Sequence, residues 1–229
     1  MTAFRTSRLF EGIYLFHVHS TYTDGSMSVS ELVHQAAAAG ATRLILLEHI
    51  RKHPSYDPQT LSKDLRDCAN EVGIETVLGF EAKITTDGHL DMPWEYAPLA
   101  AVIGIAEHGF CGSICDFEHA LDNAIDECKR KFADGAVIWV HPGLSLMKRG
   151  VLDTSVDRYV AILLKCIANG VYVERNLRYD LIPDTLASRL PAGKVIVGAD
   201  VHDVVDINRW ALFGIMELHR SAVKMSQRR

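Results

Sequence analysis

Short apolar runs rich in β-branched residues alternate along this chain with longer stretches in which apolar positions recur every three or four residues. The short runs predict strands over residues 13–18, 43–47, 76–80, 99–106, 136–140, 170–173 and 194–197. The longer stretches predict helices over 29–39, 59–72, 117–132, 155–168, 184–190 and 206–224. Alternation of this kind indicates parallel strands joined by crossover helices. Seven such strands can form an open sheet or a closed barrel, and periodicity does not choose between them.

Local punctuation agrees with these boundaries. Ser28 with Glu31 three residues on has the signature of a reciprocal helix cap. Gly40, Gly73 and Gly170 stand where helices should end, the usual place for a left-handed residue. No Pro/Ser-rich linker, low-complexity stretch or internal repeat interrupts the pattern, so one domain over residues 1–229 is expected.

Composition narrows the functional classes. The formal net charge is −5, and the basic clusters Lys129–Lys131, Lys148-Arg149 and Arg228-Arg229 are short enough to be solvated surface, which weighs against a nucleic-acid partner. Five irregularly spaced cysteines do not make a disulfide framework and fit a reducing compartment. There is no 18-residue apolar run, and Met1-Thr2-Ala3-Phe4-Arg5 lacks a signal-peptide core. A cytoplasmic protein without membrane contact is expected; nothing in the chain speaks to its oligomeric state.

Candidate chemistry lies at the carboxyl ends of the strands. The first ends in His17-Val18-His19, and residues two apart in a strand share a face, so both imidazoles should aim at one locus. Asp24 follows in the next loop. The second strand ends in Glu48-His49, the third in Glu81, the fourth in Glu107-His108, the fifth in His141-Pro142-Gly143 and the last in Asp200-Val201-His202. In a parallel barrel such ends converge on one rim, whereas in an open sheet they lie in a row. Nine ligands from six strands meet more easily on a closed rim, which favours the barrel.

A single strand-end histidine is ordinarily a hydrogen-bonded structural residue. Here six of eleven histidines sit at such ends, with Glu81 and Asp200 at equivalent positions. Several titratable groups buried together need a compensating charge. Imidazole and carboxylate suit zinc, iron or manganese, so a metal cluster is the better explanation. His34, His119 and His219 fall in expected helices and His53 in a Pro-containing loop. His89, in Asp87-Gly88-His89-Leu90-Asp91, remains a candidate for touching substrate or metal.

The ordered set Phe16-His17-Val18-His19-Ser20 with Asp24-Gly25, Glu48-His49, Gly79-Phe80-Glu81, His108, His141-Pro142 and Gly198-Ala199-Asp200-Val201-His202 resembles the polymerase and histidinol phosphatase (PHP) family. The likeness runs from about His17 to His202. It implies a distorted seven-stranded, TIM-like β/α barrel and a site for three divalent metal ions (zinc, manganese or iron). By analogy His17, His19, Glu81 and Asp200 hold the first ion. Glu81 bridges to a second, held also by His108 and His141, and Asp24, His49 and His202 hold the third. Asp24 stands where some members use histidine, and Glu48 replaces the aspartate usual before the following histidine. The stretch from Glu81 to His108 looks most like the small phosphatase and X-family polymerase branches, in which His108 rather than a residue near His89 is the ligand. Val173-Glu174-Arg175-Asn176 is similar to the family's Glu-Ile-Asn strand end, where Glu174 or Asn176 orients ligands or substrate, or simply caps the strand.

The resemblance implies a hydrolase of phosphate esters, in which water activated by the ions attacks phosphorus in line and no side chain need act as nucleophile. A small-molecule phosphate monoester, as in histidinol phosphatase, is the leading substrate. The alternatives are a nuclease acting on phosphodiesters and a non-catalytic metal-binding scaffold; a broader amidohydrolase-like reading shares only the His-x-His strand. A cation near the rim would pair with phosphate, and Arg178, Lys83, Arg51 and Arg149 are the candidates. Specificity is expected in the loops over 51–60, 85–94 and 144–152, where Tyr56, Trp94 and Tyr96 either wall a pocket or pack.

Overall fold

Each apolar run pairs with the next one in the chain. In the computed structural model, which describes residues 8–150 and 156–214, seven parallel strands stand side by side in sequence order. They are β1 (Tyr14–Val18), β2 (Arg43–Ile50), β3 (Glu75–Lys83), β4 (Val102–Ala106), β5 (Ala136–Trp139), β6 (Tyr172–Asn176) and β7 (Val195–Gly198). The ring nearly closes because residues just beyond β7 bond to β1. Ala199 N–H donates to the Phe16 carbonyl at 2.9 Å, Val201 N–H to that of His17 at 2.8 Å, and His19 N–H to that of Val201 at 2.9 Å. The architecture is therefore the distorted seven-stranded β/α barrel.

Helices α1 (Val29–Ala38), α2 (Pro58–Val72), α3 (Ile114–Lys131), α4 (Leu144–Lys148), α5 (Val156–Ala168) and α6 (Asp184–Ala187) fill the connections. Residues 204–214 are helical as well, and the rest of the helix expected over 206–224 lies outside the described residues. The Ser28–Glu31 cap forms in both directions, and α2 ends on Gly73 at φ 78°. Helix α3 starts three residues before its apolar periodicity does, because Ser113 and Asp116 make a second reciprocal cap. The strand expected over 99–106 starts only at Val102, since a 3₁₀ turn at Trp94–Leu99 precedes it. The sixth strand is displaced towards its carboxyl end, because Gly170 at φ 90° is still turning the chain out of α5. Among the described residues no helix is long and apolar enough to cross a membrane.

Strand alternation sorts the apolar residues into two layers. Phe16, Ile45, Leu47, Val77, Val102, Ile138 and Ile196 pack together inside the barrel. Leu46, Phe80, Ile105, Trp139 and Val173 pack outwards with Leu32, Leu61, Phe117 and Leu163 of the helices. The lumen is tight: a Cβ on Gly79 would lie 2.8 Å from one Leu47 methyl, and a Cβ on Gly104 3.0 Å from the other. Leu47 thus occupies the axis between two glycines. One step further along the same strand face stands His49, so this plug is also the floor of the polar rim.

Candidate metal centre

Strand alternation alone would put Phe16 and Val18 opposite His17 and His19. Val18 does pack in the outer layer, but Phe16 does not. Pairing of β1 with β2 slips between Phe16 and Val18, and His17 takes φ 66°. His17 is the extra residue of a β-bulge, so Phe16 packs in the lumen while His17 and His19 still reach the same locus. Among the described residues five non-glycine positions have positive φ, and three of them are His17, His141 and Asp200. Backbone strain of this kind persists only where the surroundings over-determine it, and it clusters at functional sites.

Glu81 is the hub. One oxygen, Oε2, lies 3.0 Å from His17 Nε2 and 3.4 Å from His19 Nε2. The other, Oε1, lies 3.3 Å from His141 Nε2, 3.5 Å from His49 Nδ1 and 3.6 Å from His108 Nδ1. Asp200 Oδ1 stands 3.5 Å from both His17 Nε2 and His19 Nε2. Asp24 Oδ2 stands 3.3 Å from His49 Nε2 and 3.4 Å from His202 Nε2. All nine residues singled out in the sequence thus meet in one cluster. His17, His19, Glu81, His141 and Asp200 form its buried floor, and His49, His108, His202 and the half-exposed Asp24 its open mouth.

Three overlapping sets could each hold a metal ion: His17, His19 and Glu81; Glu81, His108 and His141; and His19, His49 and His202, with the donor atoms of each set within 4.8 Å of one another. Among the described residues, four buried ring nitrogens, both of His19 and Nδ1 of His49 and His141, have no hydrogen-bond partner. An unpaired buried polar atom costs about 1–3 kcal/mol, so four at one locus mark a place built for a ligand. The donor set of imidazole nitrogens and carboxylate oxygens fits divalent transition metals.

Electrostatics point the same way. Burial works against charge on His17, but the Glu174 and Asp200 carboxylates outweigh it and hold this imidazole well above its ordinary pKa. His141, equally buried, is raised to about 9 by its bond to Glu81. Burial pushes His19 down to about 4, and burial with the nearby His141 charge does the same to His108. Burial would raise Glu81, but bonds from His141 and His17 hold it well below the usual carboxylate range.

A second layer holds the rings in place. Glu174, fully buried on β6, bonds His17 Nδ1 at 2.6 Å through one oxygen. Its other oxygen accepts from the backbone N–H of His141 and, at 3.2 Å, from the Asn176 amide. One carboxylate therefore sets a residue of β1 and one just beyond β5. A Cβ on Gly198 would lie 1.7 Å from Glu174 Oε1, so that glycine is the space Glu174 occupies. Glu48 accepts from the Ser20 N–H at 2.7 Å and from the Ser20 and Thr23 hydroxyls, pinning the turn that carries Asp24. The strand-end likeness pointed towards Glu174; its partners, His17 on β1 and His141 just beyond β5, lie far away in the chain.

The four candidate cations differ sharply. Arg178 touches the cluster: its guanidinium lies against His202 Nδ1 and donates to the Asp200 carbonyl at 3.1 Å. Arg51 donates to the carbonyls of Ile50 and Glu81, and Arg149 to those of Phe110, Cys111 and Gly112, so both are engaged with backbone. Lys83 is half-buried two residues beyond Glu81, on the same strand face. His89 stands apart, 3.5 Å from Glu127 of α3. Tyr56 bonds the His49 carbonyl through its hydroxyl at 3.0 Å, and Trp94 and Tyr96 pack against the outer core.

Comparison with known proteins gives partial likenesses and one family match. A 5'-3' exoribonuclease of Haemophilus influenzae is 37% identical over 75 residues, which is 33% of this chain and 25% of that protein; the match spans only a quarter of the relative. Among solved structures, a two-domain protein from Bacteroides vulgatus containing a predicted PHP-like metal-dependent phosphoesterase is 16% identical, with a TM-score of 0.46 over 84% of this chain and 52% of that one. A structure described as amidohydrolase II is 12% identical with a TM-score of 0.50, covering 89% of this chain and 91% of its own. At these identities the solved structures speak to the fold alone. The PHP domain profile, by contrast, matches residues 16–177, from β1 through β6, and takes in seven of the nine cluster residues. This chain belongs to the PHP domain family.

Proposed function

We propose that the chain is a metal-dependent phosphoesterase and that its leading substrate is a small phosphate monoester. The observation that carries this is Glu81, whose two oxygens face two different sets of ring nitrogens, as a bridging carboxylate must. In this reading His17, His19, Glu81 and Asp200 hold one divalent ion, Glu81, His108 and His141 a second, and Asp24, His49 and His202 a third; zinc, manganese and iron all suit these donors. Such ions supply Lewis acidity, neutralising phosphate charge and acidifying water at neutral pH. The protein does the positioning. Glu174 fixes the His17 ring, Glu48 fixes the turn bearing Asp24, and Arg178 at the mouth offers its guanidinium to a phosphoryl oxygen. The apolar plug at Leu47 closes the floor, so substrate enters from the mouth.

A second reading, a nuclease, is favoured by the partial identity with the exoribonuclease. Elemental analysis of the purified protein, paired with p-nitrophenyl phosphate and 5'-phosphorylated oligoribonucleotide hydrolysis before and after chelation, separates the two. Two to three metals per chain with chelator-sensitive release of p-nitrophenol support the leading reading. Turnover of the oligonucleotide alone supports the second. No metal after reconstitution with zinc, manganese and iron would sink both.

Metal binding should also release protons. His141, raised to about 9, and His17, held well above its ordinary pKa, must be neutral to act as ligands. Calorimetric titration at pH 7 in buffers of differing ionisation enthalpy should therefore show net proton release as the cluster fills. The apparent affinity should rise with pH until those histidines are neutral. Buffer-independent enthalpy would contradict the assignment.

A further inference from the structure

Beyond the nine-residue cluster the rim carries an aromatic group with two cations over it. Tyr179, in the loop after β6, is 38% exposed. The Lys148 ammonium at the end of α4 lies 4.9 Å from its ring centroid, and the Arg178 guanidinium lies 5.9 Å from it. Arg178 in turn lies against His202 of the cluster. Ring, ammonium and guanidinium thus form a continuous path from the mouth of the metal centre outwards.

The loop is built to hold this position. The buried Asn176 side chain accepts from the backbone N–H groups of both Arg178 and Tyr179 at 3.0 Å, while its amide donates to Glu174. Leu181 and Ile182 anchor the far side in the core, and Leu181 N–H donates to the Asn176 carbonyl at 3.0 Å. Asp180 and Ile182 both take positive φ, at 51° and 57°, the two non-glycine cases outside the cluster among the described residues. A β-branched residue such as Ile182 is strained there. The strain is held in a loop whose visible product is the outward display of Arg178 and Tyr179.

We infer that Tyr179, Lys148 and Arg178 form a specificity subsite for the nucleobase of a nucleotide whose phosphate lies at the metal centre. An exposed tyrosine ring stacks on any base, and flanking cations meet the charge of the phosphate the base carries. Lys148, on its flexible stem, can turn from the ring to a phosphoryl oxygen when a base arrives. Arg178, held by the Asp200 carbonyl, stays between ring and metal centre. The inference rests on the phosphoesterase reading for the seat of the phosphate and adds what lies beside it.

The test is binding rather than turnover. The probes are the non-hydrolysable phosphonate analogues of adenosine 5'-monophosphate and of ribose 5-phosphate, titrated into the manganese-loaded protein. The wild type should bind the adenosine analogue about tenfold more tightly than the ribose one, within the range that base stacking supplies. Tyr179→Ala should collapse that ratio towards one, and Tyr179→Phe, which keeps the ring, should preserve it. An unchanged ratio in Tyr179→Ala, or a wild type that does not distinguish the probes, overturns the subsite. A 5'-phosphorylated oligoadenylate added as competitor divides the two sources of such a base: stronger competition than the monomer points to strand ends, weaker to free nucleotides. Tyr179-dependent binding without hydrolysis of the natural ester under any metal would leave the subsite standing and remove the phosphoesterase reading.

Discussion

Glu81→Gln is expected to empty two metal positions together and to lower kcat/KM by on the order of a thousandfold, the loss of several kcal/mol of charge stabilisation. The substitution is isosteric, so the barrel wall it stands in should not repack. Its chemistry is not neutral. Only one of the two amide positions is an oxygen, and the NH₂ must face either the His17 and His19 nitrogens or the His49, His108 and His141 nitrogens. Whichever side receives it loses an anionic donor, and the other side loses half a charge. Elemental analysis of the variant beside the wild type reads this directly, with circular dichroism to confirm the fold. Loss of a single ion would contradict the bridging role, and full occupancy with wild-type turnover would refute the site assignment altogether.

The second large effect should come from one methyl group. In Gly198→Ala the new Cβ would sit 1.7 Å from Glu174 Oε1 and 2.6 Å from its Cδ. Glu174 is fully buried and bonded at both oxygens, so it cannot simply swing away. The carboxylate must move, and the His17 ring and the His141 backbone move with it. Overpacking of this kind destabilises by about 1–3 kcal/mol. Losing the partner that orients a ligating histidine typically lowers metal affinity about 10–100-fold. Thermal denaturation and metal titration should therefore both register the change. Adding Glu174→Asp, one methylene shorter, should restore part of the stability, because it removes the collision. If Gly198→Ala alone melts and binds metal like the wild type, the space argument fails.

How much of this was readable in advance depends on the range of the interaction. Helix starts at Ser28 and ends at Gly73 are decided within four residues, and they appear in the structure where the sequence puts them. Helix α3 begins three residues before its apolar periodicity, because the Ser113–Asp116 cap extends it. Strand alternation matches the lumen and outer layers along β2 and β3. On β1 it brings His17 and His19 to one locus but misplaces Phe16, because the bulge at His17 depends on pairing with β2 and on closure against Val201. No local residue marks that bulge: histidine at φ 66° is disfavoured on its own and is held there by the ring around it.

The candidate site divides along the same line. Nine residues at or just beyond strand ends were visible because a parallel barrel gathers its carboxyl ends on one rim whatever the loops do. Which carboxylate oxygen faces which imidazole was not visible, nor was the contact between Glu174 and His17, 157 positions apart in the chain. Arg178 stood first among four candidate phosphate binders, but only the structure engaged Arg51 and Arg149 with backbone carbonyls and set Arg178 against His202. Tyr179 and Lys148 carried no signal at all, since exposed residues on separate loops have no period. The sequence by itself determined the order of strands and helices, the residue types at the rim and the family. The tertiary structure alone decided ring closure, the strained backbone at His17, His141 and Asp200, and the pairing of buried charges. These last depend on distances of a few ångströms between residues far apart in the chain, set only once the seventh strand meets the first.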